Sequence, residues 1–445
     1  MSAARIFTIL TLLSLFILSF GNDHPALIHL SIPPNAKATA MGHAYAASVG
    51  DPSIVYYNPG ALAFHDRSGF TFMNQGFPPG MARLIEKGML AFTGKVLYQD
   101  EVIPPEPAWL FLIEGMRSVG GAAVFPHGVI GTFGASLSYF TSGIRDVYNY
   151  EGQYLGSFEL YDYAIGASYS RIIFRRLGVG INVKYIGSTR LTELSFYEPP
   201  EVDGGKTIAL DAGVLSRIYG IGLGASITNL GPRIKYANDT SYTGYRLPTR
   251  YRWGISLEPV VFLDSVLSIA KYKVMNIPVT DILNIKFCYD RSYDPEETSG
   301  SGRLWECSGW EFTFLKYFSY RFGSFQIWDE TSGVGLKLPN IEFDVARYYS
   351  NSYHVQISLY SHPPPEHIKN NQKLHNILKI TTAALAPGGA QFYKGEGLKG
   401  SAFLAPALLL ANSYYSTDNN RTKTLSLIGI AALYVGAAME ALLTD

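Results

Sequence analysis

From residue 68 to about residue 361, apolar side chains recur at every second position. Leu177, Val179, Ile181, Val183 and Tyr185 alternate with Gly178, Gly180, Asn182 and Lys184. Ile221, Leu223, Ala225 and Ile227 alternate with Gly222, Gly224, Ser226 and Thr228. The same period runs through residues 133–139, 163–169, 251–257, 334–338, 341–345 and 355–359. A period of two sends successive side chains to opposite faces of a strand. Each strand therefore has one bulky apolar face and one face of Gly, Ser and Thr with an occasional charge. A water-soluble sandwich would carry Lys and Glu on its polar face. Small polar residues on one face, with Tyr, Phe and Trp near the ends of the other, fit a transmembrane β-barrel instead. Its apolar residues turn to lipid and its polar ones to the lumen. The sheet must close, because an open edge in hydrocarbon leaves backbone groups unpaired.

The connections are unequal. Residues 217–220 form a tight turn, whereas 142–156, 188–205, 238–248 and 289–303 read as long polar loops. Short turns at one end and long loops at the other suit an outer-membrane barrel. At roughly 20 residues per strand and connection, the segment yields about 14 antiparallel strands. Residues 77–120 are irregular and hold either one extra strand or a helical insertion.

Both ends of the chain depart from this period. Arg5, the apolar run 6–18 and Ser19-Phe20-Gly21 read as a cleaved signal peptide over residues 1–21. After Pro363-Pro364-Pro365, the Ala/Leu-rich stretches 374–386, 398–411 and 425–443 read as helices. The last holds Gly429, Gly436 and Glu440, so its drive to insert is modest. The expectation is a helical hairpin against the periplasmic mouth or at an interface. A transmembrane pair is the alternative.

Composition sharpens the membrane reading. Charged residues make up 16% of the chain and aromatics 14%, with 31 Tyr, 25 Phe and 44 Gly. That is below the roughly 25% charge of an ordinary soluble domain. The 36 basic and 36 acidic side chains cancel, so no polycationic field exists to hold nucleic acid. There is no HExxH, CxxC or P-loop, and the nine His are scattered, with His362 and His367 flanking the triple proline. No catalytic residue, cofactor or metal site is expected. Asn238-Asp239-Thr240 matches a glycosylation sequon of the kind that arises by chance. Lys184 and Asp211, on lumen-facing positions, are expected to form a structural ion pair rather than a proton relay. Cys288 and Cys307 flank a polar stretch; they either form a disulfide or remain two buried thiols.

One short motif stands out before the first strand: "GDPSIVYYNPGALA", residues 50–63. Pro59 fixes its own φ and pushes Asn58 toward extended geometry. Asn58 can bond its own backbone, and Gly60 is free to take φ > 0. The preceding Ala-rich stretch 40–49 is compact enough for a narrow lumen.

The stretch "AKATAMGHAYAASVGDPSIVYYNPGALA" is similar to the N-terminus of PorV/PorQ-type outer-membrane proteins, relatives of the fatty-acid transporter FadL. "GTFGASLSYFTSGI", "LYDYAIGASYSRIIFRRLGVGINVKYI", "ALDAGVLSR" and "GLGASITNLGPRIKY…LPTRYRWGISL" follow in the family's order. The resemblance covers residues 35–257 well and the remaining strands loosely. It departs at Gly60, where the family usually has Ala, and at the C-terminal extension. There, "APGGAQFYKGEGLKG" is similar to small bacterial membrane modules. The resemblance implies a plug over residues 22–67, whose Asn58-Pro59-Gly60 turn sits near the periplasmic mouth. A barrel over 68–361 and a helical extension over 362–445 complete the chain. It also implies Sec-dependent export to a Gram-negative outer membrane, with outer-membrane lipid as surroundings. The PorV likeness implies type IX-like capture or shuttling of secreted cargo, with cargo proteins or another barrel as partners. The FadL relationship implies transport of hydrophobic small molecules, and so a continuous apolar pocket beneath the plug.

Overall fold

The computed structural model describes residues 27, 30, 34–75, 117–148, 153–193, 201–237, 244–268, 273–274, 277–295, 303–326, 329–338, 340–348, 352–361, 379, 387–416 and 420–443. The signal-peptide segment, residues 76–116, the sequon at Asn238, and His362 and His367 lie outside them. So does the first C-terminal helix expected at 374–386, apart from Lys379.

Fourteen antiparallel strands close into a barrel. They are β1 (Gly69–Gln75), β2 (Arg117–His127), β3 (Gly131–Tyr148), β4 (Tyr154–Ile173), β5 (Leu177–Glu193), β6 (Glu201–Ile218), β7 (Ile221–Leu230), β8 (Arg250–Leu257), β9 (Leu283–Asp294), β10 (Arg303–Phe314), β11 (Phe318–Phe325), β12 (Asp329–Lys337), β13 (Ile341–Tyr348) and β14 (Ser352–Tyr360). Each pairs with its sequence neighbour. Closure is made by β1 against β14, from Gly69↔Tyr360 to Gln75↔His354.

Inside-outside alternation follows the sequence pattern. Along β6, Ile208, Leu210 and Val214 stand on the outer face while Asp211 is fully buried within. Ile165, Val183, Leu223, Trp253 and Phe322 share the exposed outer surface. Asn182, Arg321, His354 and Gln356 are buried inside. The barrel thus turns a band of aliphatic and aromatic side chains outward, as a lipid-facing wall does.

The tight turns lie at one end. Tyr219 and Gly220 (φ 49° and 79°) carry the positive φ pair of a two-residue hairpin, and Phe174 and Arg175 (51° and 63°) and Leu315 and Lys316 (48° and 57°) lie in three-residue ones. At the other end the strands run further than their alternation suggested. β3 reaches Tyr148 and β4 starts at Tyr154; β5 reaches Glu193 and β6 starts at Glu201. Residues 142–156 and 188–205 are therefore largely strand. Past the lipid band both faces meet water, so the apolar alternation fades while the ladder continues. The β7–β8 connection returns to the wall as a short strand, Lys235–Tyr236, paired with β6 at Lys206 and Gly205. The β8–β9 connection, at the tight-turn end, carries α2 (Pro259–Leu267) and α3 (Val279–Ile282), with α1 (Ala36–Ala40) lying in the lumen.

Three C-terminal helices, α4 (Gly389–Lys394), α5 (Gly397–Ser416) and α6 (Asn420–Leu443), form a compact unit. Gln391 donates to the Ala437 carbonyl (2.8 Å) and the Glu440 carboxylate (2.6 Å), and Lys399 pairs with Glu440 at 3.0 Å. The Gln and Lys of the "APGGAQFYKGEGLKG" motif thus tie the start of the unit to its last helix. The unit does not sit at the barrel mouth. Leu404 of α5 packs on Phe70, with Phe72, Ala123 and Leu359 around it, all on the outer face of β1, β2 and β14. Among the described residues, no helix is long and apolar enough to cross a membrane.

Candidate functional site

Residues 34–67 fold into the lumen and are held there by backbone contacts at nearly every turn. Asn35 caps α1 by accepting from the Ala38 N–H at 2.7 Å, while the Ala36 N–H donates to Gln356 Oε1 at 2.8 Å. Asp290 of β9 accepts from two successive plug amides, Tyr45 and Ala46, both at 2.6 Å. Ser226 donates to the Tyr57 carbonyl (2.6 Å) and Ser256 to the Ala47 carbonyl (2.8 Å). The plug side chains Met41, Tyr45, Ile54, Tyr57 and Leu62 pack against Ala122, Val124 and Leu215 of the wall. Burial holds the His43 imidazole far below its ordinary value, at about 3, so the ring that meets the Tyr57 hydroxyl at 2.7 Å is neutral.

Asn58, Pro59 and Gly60 come together near the tight-turn end of β6. Asn58 caps a 3-10 segment, Pro59–Phe64, its side chain accepting from the Gly60 N–H at 3.0 Å. Its amide donates outward, to the Ala46 carbonyl at 2.7 Å and the Val214 carbonyl at 2.9 Å. Gly60 does not take a positive φ. It is needed for space: a Cβ there would lie 2.6 Å from the Gly213 carbonyl oxygen. The wall answers with glycines of its own at Gly178, Gly180 and Gly213, each of which lies against Asn58, Pro59 or Gly60. The small lumen-facing residues of the strands are thus the footprint of the plug.

The lumen also holds a chain of charges. Lys37 of the plug pairs with Glu342 (2.7 Å), Asp51 (3.5 Å) and Asp344 (3.9 Å). Arg321 bridges Asp344 (2.7 Å) and Glu311, Lys286 joins Glu311 (3.8 Å) to Glu258 (4.0 Å), and Arg217 meets Glu258 at 2.8 Å. Sequence reasoning missed this cluster, because its members are scattered from residue 37 to residue 344. Lys184 and Asp211, singled out in the sequence, pair at 2.8 Å. Asp211 also accepts from Asn182 (2.9 Å) and the Asn229 N–H (2.7 Å), so three donors surround the carboxylate.

Cys288 and Cys307 are both free and buried. They sit on paired strands, but in register Cys288 faces Gly309 and Cys307 faces Asp290. Such diagonal neighbours are about 7 Å apart, beyond the roughly 4 Å between Cβ atoms that a disulfide spans. The bridge is therefore not made; both thiols pack against the plug.

An apolar crevice of about 440 Å3 lies on the outer wall, between α5 and strands β1 to β4. Phe70, Phe72, Phe125, Leu137, Ile165 and Ala402 line it. Gly121 faces outward there and contributes no side chain. On the lumen side, the Tyr56 hydroxyl lies 2.6 Å from the Gly121 carbonyl and 2.7 Å from the Leu137 carbonyl. These two residues oppose each other across the β2–β3 seam. At this point one layer of backbone separates the plug from the crevice.

No protein-family model matches this chain, and no curated protein does. Among solved structures it is similar to the toluene transporter TodX of Pseudomonas putida, at 9% identity and a TM-score of 0.42, covering 73% of this chain and 96% of that one. A Pseudomonas aeruginosa FadL homologue is similar at 11% identity and a TM-score of 0.35, covering 74% and 97%.

Proposed function

We propose that this chain is an outer-membrane barrel of a Gram-negative bacterium, reached by Sec export, that passes small hydrophobic molecules between the membrane interior and the plugged lumen. The observation that carries this reading is the apolar crevice on the wall, separated from Tyr56 of the plug by the β2–β3 backbone alone. Filling it is the direct test. Leu137→Trp should lower uptake of a hydrophobic fluorescent probe into proteoliposomes by about tenfold, a loss of roughly 1.4 kcal/mol in binding. Retained heat-modifiable gel migration would report an intact barrel. A filled crevice with undiminished uptake refutes the reading.

A second reading, capture or shuttling of secreted cargo with a second barrel as partner, draws support from the lumen. It is occupied by the plug and its charge cluster, as suits a barrel that works through its rims rather than its bore. Under this reading, a tagged full-length chain extracted in mild detergent brings down an exported protein. Its absence from the eluate counts against it.

A further inference from the structure

A second outer-surface cavity lies at the long-loop end of β4 to β6, with a volume of about 420 Å3. Its floor is Gly204, which faces outward on β6 with open space above it, while the neighbouring Gly187 of β5 lies under the Tyr163 ring. Tyr161 and Tyr163 form one wall. Lys206 and Lys235 form the other, as Cα partners across β6 and the short returning strand. Behind the floor, Arg190 stacks over Tyr236 and Tyr245 at 4.5 and 4.9 Å, so the notch is backed by packed side chains.

Two features need an explanation. The first is that like charges directly opposite on one face of a sheet are destabilising, yet both lysines are exposed and neither ammonium group has a partner among the described residues. The second is their depth. From Ile208 to Ile218, outward residues of β6 are predominantly apolar. At about 3.3 Å per residue and a tilt near 40°, that stretch rises about 25 Å, the height of the lipid-facing band of such a barrel. Lys206 is the first outward position beyond it. The two ammonium groups therefore stand where lipid headgroups begin, beside two tyrosines of the kind that sit at that level.

We infer that the notch formed by Tyr161, Tyr163, Gly187, Gly204, Lys206 and Lys235 binds the phosphate of an anionic membrane lipid. The lysine pair straddles the phosphate, the glycine floor admits the headgroup, and the tyrosines flank the first carbons of the tail. An anion between the lysines turns a repulsive cross-strand pair into a site.

The full chain in detergent micelles, examined by native mass spectrometry with phosphatidylglycerol and phosphatidylcholine at equal concentration, tests this. Wild type should retain phosphatidylglycerol in preference. Lys206→Gln/Lys235→Gln should weaken that retention roughly thirtyfold, as expected for two cations at a membrane surface, while Lys206→Arg/Lys235→Arg keeps it. Gly204→Leu, at a position with open space around it, should lose retention without any change of charge. Heat-modifiable migration controls for folding in every variant. Equal binding of the two lipids by wild type, or full retention by the double Gln variant, overturns the assignment. Displacement of the lipid by millimolar inorganic phosphate would also overturn it, by showing a soluble-phosphate site.

Discussion

Asn58 shows how one side chain can fasten a plug on three sides. It caps the Pro59–Phe64 segment, ties it to the preceding plug segment through the Ala46 carbonyl, and ties it to the wall through the Val214 carbonyl. Because it is wholly buried, Asn58→Ala removes three hydrogen bonds, together worth at least about 2 kcal/mol at roughly 0.5–1.5 kcal/mol each. We expect amide exchange over residues 46–62 to quicken roughly thirtyfold, with barrel melting unchanged. Exchange at the wild-type rate would mean the turn is held by packing alone. The sequence identified this motif because Pro59 restricts Asn58 whatever surrounds it. It misjudged Gly60, because the close approach of the Gly213 carbonyl belongs to a strand about 150 residues away, and no local pattern encodes that distance.

At the scale of elements, period-two alternation located the strands wherever one face meets lipid and the other the lumen. It failed beyond the band, where β3 to β6 continue with both faces in water and were read as loops. It also failed for the C-terminal unit. Phe70 and Phe72, which receive α5, have the same residue type and spacing as their lipid-facing neighbours, so nothing in the pattern distinguishes a helix-covered wall from a lipid-covered one. The unit's own coherence is more legible, since Gln391 and Lys399 both reach Glu440. Gln391→Leu removes the two bonds made by a buried amide, worth about 1–3 kcal/mol. We expect faster limited proteolysis between residues 387 and 443 while heat-modifiable migration of the barrel persists, because the unit meets the wall mainly through α5. Loss of that migration would show that the helices are needed for the barrel itself.

For the whole molecule, the question is whether the plug is a fixed stopper or a part that moves, and the charge cluster decides how that can be asked. Lys37 is the plug's cation in the cluster, and it sits among Asp51, Glu342 and Asp344, all buried. Deleting it leaves three buried carboxylates, with Arg321 near Glu342 and Asp344 and Lys337 near Glu342 as the cations that remain among the described residues. Breaking a buried network from one side costs about 3–5 kcal/mol, enough to loosen the Lys37 end of a plug that is otherwise held by hydrogen bonds and by the packing of Met41, Tyr57 and Leu62. Lys37→Met should therefore open the lumen, seen as a rise in single-channel conductance in planar bilayers, with the barrel still folded. Lys37→Met/Glu342→Gln removes the nearest uncompensated carboxylate as well, and should close much of that leak, because replacing both partners of a buried pair is far less costly than removing one. The pair of variants separates electrostatic fastening from shape. If both leak equally, the uncompensated Glu342 charge is not what loosens the plug; if neither leaks, the glycine-lined contacts at Met41, Ala46 and Pro59 hold the plug without the cluster, and transport has to proceed with the stopper in place.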